Sequence, residues 1–135
     1  MCSQMIDRIA CGPQKIIMLL ADDDLREATS YWSEALGWSV ELARDGKHAA
    51  RLLRMSEYRA LVTDRFIPPW PGLDSIPKLK RRYPNVRIVV LLTRGPIGTA
   101  AVLRLAGADA VIEPPVRQAA LMTALLPDPG VRRAR

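Results

Sequence analysis

The chain has 135 residues, 49% of them hydrophobic, and carries a formal net charge of +6. That length supports one domain around one core, and so apolar a composition excludes a disordered chain. The basic excess raises nucleic acid as a partner. Its cations are scattered, however, with Lys78, Lys80, Arg81 and Arg82 in one place and Arg132, Arg133 and Arg135 at the end. No helix-turn-helix pattern, zinc spacing or aromatic-basic platform accompanies them, so nucleic acid is disfavoured.

Residues 1–14 carry little pattern and close on Gly12-Pro13, which reads as a leader before the fold. Cys2 and Cys11 lie in or near it and fit neither a disulfide framework nor a metal motif. No apolar secretory core is present, and the run at 16–21 is too short to span a bilayer. A cytoplasmic protein away from the membrane is expected. With one Phe, three Tyr and three Trp, its core must be mostly aliphatic.

Lys15 to Leu20 is a continuous apolar strand, as expected at the centre of a parallel sheet covered on both faces. Asp22-Asp23-Asp24 follows. Asp24 can cap a helix in which Leu25, Ala28, Trp32, Ala35 and Leu36 recur at helical spacing, with Gly37 as its stop. Ser39 to Ala43 alternates as a second strand. Asp45-Gly46 turns the chain into a helix carrying Ala49, Ala50, Leu52, Leu53 and Met55.

Ala60-Leu61-Val62-Thr63 is a third strand and runs directly into Asp64, after which prolines and Gly72 forbid continuation. Asp74 or Ser75 caps the next helix, with Pro77 in its first turn, and that helix ends before Pro84. Val86 to Leu92 is the strongest strand, closed by Thr93 and turned by Gly95-Pro96. Ile97 to Leu105 is a small helix ended by Gly107. Asp109 to Glu113 is a fifth strand, halted by Pro114-Pro115, where a cis bond before Pro115 is plausible. Val116 to Leu126 is the last helix, and 127–135 form a basic tail.

Five alternations of strand and helix with short connections predict an α/β fold: a doubly wound, five-stranded parallel sheet with helices on both faces. Ligands of such sheets bind beyond the carboxyl ends of the strands. Asp22, Asp23, Asp64, Thr93 and Pro114 fall at those ends. Carboxylates converging there suit a hard cation such as Mg2+, which keeps several waters and takes one or two acids plus a phosphate oxygen. Asp64 could be both a metal ligand and the nucleophile towards a phosphoryl donor, with the Thr93 hydroxyl donating to a phosphoryl oxygen. The competing view of Asp23 and Asp24 is that of ordinary helix-start acids. His48 is the single histidine, which excludes a histidine-based metal site or a catalytic triad.

In this order and spacing the pieces resemble the receiver domain of two-component response regulators, the chemotaxis-regulator (flavodoxin-like) fold, over 15–126. They are Leu19-Leu20-Ala21-Asp22-Asp23-Asp24, Asp64 to Pro68 with Gly72, Val90-Leu91-Leu92-Thr93, and Leu105-Ala106-Gly107-Ala108-Asp109 with Pro115. The resemblance implies that Asp64 accepts a phosphoryl group from a histidine kinase or phosphotransfer protein. Asp22 and Asp23 would hold Mg2+ with it, and Thr93 would bind the phosphoryl oxygens. A downstream protein would read the face of helix four, strand five and helix five, with a homodimer left open. The chain would be a signalling module, not an enzyme beyond self-phosphorylation and dephosphorylation.

Three departures stand against the family pattern. Pro114 occupies the lysine position, Val111 the aromatic switch position, and Arg94 follows Thr93 where a small residue is usual, in a loop one residue short. Arg94 or Arg65 could restore the lost positive charge. The expected function is therefore a stand-alone, atypical response regulator, with nine residues left after Leu126. The alternative is a pseudo-receiver, an interaction module indifferent to phosphate. A phosphatase of the haloacid-dehalogenase type would need an acid where Phe66 stands, and room for a cap domain.

Overall fold

A computed structural model describes residues 14–64, 75–92 and 99–125 of the chain. Five strands, β1 (Lys15–Leu19), β2 (Ser39–Leu42), β3 (Ala60–Thr63), β4 (Arg87–Leu91) and β5 (Ala110–Ile112), form one sheet in the order β2-β1-β3-β4-β5, every neighbouring pair parallel. Five helices alternate with them: α1 (Asp23–Ala35), α2 (Gly46–Met55), α3 (Ser75–Arg82), α4 (Thr99–Ala106) and α5 (Gln118–Leu125).

The sheet divides the core in two because successive side chains leave a strand on opposite faces. Ile17, Leu19, Leu61, Ile88, Val90 and Val111 meet α2, α3 and α4 through Ala49, Leu53, Ile76, Leu79, Ala100 and Leu103. Ile16, Met18, Ala60, Val62, Val89 and Leu91 meet Leu121, Ala124 and Leu125 of α5, with Leu25 and Trp32 of α1 packed against them. Burial on both faces is why β1, β3 and β4 are near-continuous apolar runs. β2, at the edge, keeps Ser39, Glu41 and Leu42 exposed.

Local chemistry shifts two features from the sequence reading. The cap of α1 is Asp22, not Asp24: its Oδ1 accepts from the Leu25 N–H at 3.0 Å, and the helix starts at Asp23. The inward face of α1 also differs. Leu36 is the C-cap and is 58% exposed, whereas Thr29 and Ser33 are buried. Thr29 can face the sheet because its hydroxyl donates to the Leu25 carbonyl at 2.8 Å and touches Met18 Sδ at 3.3 Å, so it carries no unmet polar demand into the core. At the start of α2, Asp45 Oδ1 accepts from the His48 N–H, and His48 Nδ1 in turn accepts from the Arg44 N–H. The single histidine thus serves the local turn. The peptide bond between Pro114 and Pro115 is cis.

Gly107 ends α4 with φ +118, and a Cβ built there would meet Ile76 Cγ2 at 3.4 Å. An L side chain is strained at that φ, while the contact itself is an ordinary van der Waals one. Gly107→Ala is accordingly expected to lose about 1–2 kcal/mol of stability, read as a lower urea midpoint at unchanged slope. Beyond that turn, Asp109 Oδ2 accepts from the Ile88 N–H and from Lys80 Nζ, both at 2.8 Å, joining α3 and the segment before β5 to β4.

Candidate functional site

The register brings the acids together. Leu19 pairs with Thr63 at the ends of β1 and β3, and the Asp64 N–H donates to the Leu19 carbonyl, carrying the ladder one residue further. β1 and β3 are also where the winding of the sheet reverses, since β2 lies on one side of β1 while β3 to β5 run away on the other. Doubly wound sheets of this order place their ligand crevice there. Asp64, half-buried, projects from this point, and its Oδ2 accepts from the Ala21 N–H at 3.0 Å. The carboxylate is therefore held against the residue that precedes Asp22.

Asp22 and Asp23 lie at the same rim but are turned to other partners. Asp22 spends Oδ1 on the cap of α1. Asp23 forms a close ion pair with the Arg26 guanidinium one turn on. Arg26 has a second anchor, because its other terminal nitrogen donates to the Leu20 carbonyl at 3.1 Å. Among the described residues, no group of three or more His, Cys, Asp or Glu side chains is gathered so as to hold a metal ion. The three acids thus share one rim without closing on one point. Their chemistry, carboxylate oxygens at adjoining strand ends, suits a hard divalent cation.

Arg26 was missed in the sequence reading. Its signal was the spacing, three residues after Asp23 on a helix, which puts the two side chains side by side. Val111 is buried against α2–α4, and Pro114 is exposed just beyond β5. Thr93, Arg94, Arg65 and Gly72 lie outside the described residues. No described helix is long and apolar enough to cross a membrane.

Five parallel strands wound in this order, with an aspartate ending β3 beside an acidic turn after β1, define a doubly wound α/β domain of the flavodoxin-like class. Residues 18–126 match the response regulator receiver domain, and the chain belongs to that family. It is 31% identical over 122 residues to the response regulator MprA of Mycolicibacterium vanbaalenii, covering 84% of this chain and 53% of that protein. The transcriptional regulatory protein TcrA of Mycobacterium tuberculosis is 29% identical over 103 residues, covering 74% of this chain and 39% of its own length. The chain therefore spans about half or less of these curated relatives. Among solved structures, a response regulator from Burkholderia pseudomallei with a phosphorylated aspartic acid, calcium ion and citrate superposes with a TM-score of 0.70 at 22% identity, covering 89% of this chain and 71% of that one. A response regulator from Thermotoga maritima also gives 0.70, at 20% identity over 82% of this chain and 92% of that one. Receiver domains of this family are signalling modules of two-component systems rather than classical enzymes.

Proposed function

We propose that this chain accepts a phosphoryl group on Asp64, with Mg2+ held by Asp23, Asp64 and Asp22, and signals by binding another protein. The observation that carries the reading is the Asp64 carboxylate at the β1–β3 crossover, held by the Ala21 N–H beside the acidic turn. The donor would be a phosphohistidine of a kinase or phosphotransfer protein. An Asp64 oxygen bonds to phosphorus as the bond from phosphorus to the histidine nitrogen breaks, and the imidazole leaves with its electron pair. A bound divalent cation supplies charge neutralisation for the transferring group. The chain's own residues orient the nucleophile: the Ala21 N–H fixes one carboxylate oxygen, Oδ2, beside the acidic turn. The Thr93 hydroxyl is the proposed contact to the phosphoryl oxygens.

The output face fits α4, β5 and α5, where Val102 and Leu105 of α4 stand 47% and 88% exposed. Apolar side chains so open on one short helix suit a partner surface. A second reading, the phosphate-indifferent pseudo-receiver, draws on Pro114 in the lysine position and on the separate partners of the three acids.

Radiolabelled acetyl phosphate separates the two. With Mg2+ present, the proposed acceptor takes up label in an acid-stable, hydroxylamine-labile form, and chelation of the metal suppresses it. A chain that stays unlabelled, and whose amide spectrum ignores Mg2+ with beryllofluoride, is the interaction module instead.

A further inference from the structure

Arg26 does two things at the acidic rim. One terminal nitrogen pairs with the Asp23 carboxylate, and the other donates to the Leu20 carbonyl at 3.1 Å. Its side chain is 34% exposed while that of Asp23 is 83% exposed, so the arginine is the anchored member and the carboxylate has come to it. A planar guanidinium can span a backbone carbonyl and a carboxylate at once, which an ammonium at the end of a flexible stem does poorly. The Leu20 carbonyl lies just past the last β1 residue, so the guanidinium sits at the strand end from which Asp22 and Asp23 depart. Among the described residues no three such side chains gather to hold a metal, and this pairing turns one of the rim's acids, Asp23, to the guanidinium.

Resting on the acceptor-site reading above, we propose that Arg26 is a latch on the metal position. It draws the Asp23 carboxylate away, and an incoming divalent cation must displace it from that carboxylate. Metal and guanidinium compete for one anion, and like charges a few ångströms apart disfavour joint occupancy. The chain therefore binds metal more weakly than its carboxylates alone would. Because the Leu20 carbonyl is not a metal competitor, the displaced guanidinium keeps its second anchor and stays at the rim. There it provides positive charge near a site whose family lysine is replaced by Pro114.

Mg2+ binding to the full chain, measured by calorimetry, tests this together with the Arg26 side-chain Nε–H resonance of the unaltered protein. Arg26→Gln is expected to tighten Mg2+ binding roughly 3- to 10-fold, and Arg26→Lys to fall between. In an Asp23→Asn background the Arg26→Gln change is expected to have no further effect. The Nε–H resonance of the unaltered chain should shift with the same midpoint as the calorimetric titration. Equal affinities for the unaltered chain and Arg26→Gln, or a resonance unmoved at saturating Mg2+, overturn the latch and leave the acceptor site standing. If neither the unaltered chain nor Arg26→Gln binds Mg2+, the acceptor-site reading falls and the latch with it.

Discussion

Asp64→Asn is expected to abolish labelling by acetyl phosphate while leaving the fold intact. The amide oxygen can still accept the hydrogen bond that the Ala21 N–H gives to Oδ2 at 3.0 Å, so the turn after β1 keeps its tie to β3. What disappears is the anionic nucleophile, since an amide oxygen neither attacks phosphorus usefully nor carries charge for a cation. The decisive pair of measurements is phosphoryl incorporation, expected at background, and the thermal midpoint, expected to stay close to that of the unaltered chain. Labelling that survives the substitution would place the acceptor elsewhere.

The largest stability effect is expected at the centre of the sheet. Ile17 is fully buried on β1, paired with Leu61 across the sheet, and lies in the same cluster as Ala49, Leu53 and Ile88. Ile17→Ala removes three carbons from a site walled by strand backbone, which cannot collapse to fill the gap. The expected loss is about 3–4 kcal/mol, within the usual range for deleting a buried aliphatic branch. A urea titration reads it as a lower midpoint, and a loss below about 1 kcal/mol would mean that this face of the core is loosely packed. The neighbouring Met18, equally buried, faces α1 and α5 instead.

The sheet was legible because double burial writes an unmistakable pattern. Ile16-Ile17-Met18-Leu19 and Ile88-Val89-Val90-Leu91 have no polar face, and a chain of this length has room for few other ways to bury them. Asp64 was legible for the same reason, as a carboxylate at the point where an apolar strand stops. Harder to read was which of three consecutive aspartates caps α1. Any of them suits a helix start, and one residue of difference decides that Asp22 is tied to the Leu25 N–H. Thr29 and Ser33 were passed over as inward residues because they are polar in name, yet the Thr29 hydroxyl is satisfied within its own helix. Arg26 belongs to no motif, and its one mark in the sequence is its place three residues after Asp23 on a helix. Asp109 reads in sequence as the first residue of the fifth strand, yet it lies just before β5 as the acceptor that joins Lys80 to the Ile88 N–H.

The strand order has a corollary. The hydrogen bond from the Ala21 N–H to the acceptor carboxylate joins residues 43 apart along the chain, so it exists only where β1 and β3 are paired in the folded sheet. Chemical reactivity at Asp64 should thus report the intact population and nothing less. In graded urea, phosphoryl uptake should fade along the same curve as the circular dichroism signal, making this side chain a built-in gauge of whether the molecule is whole.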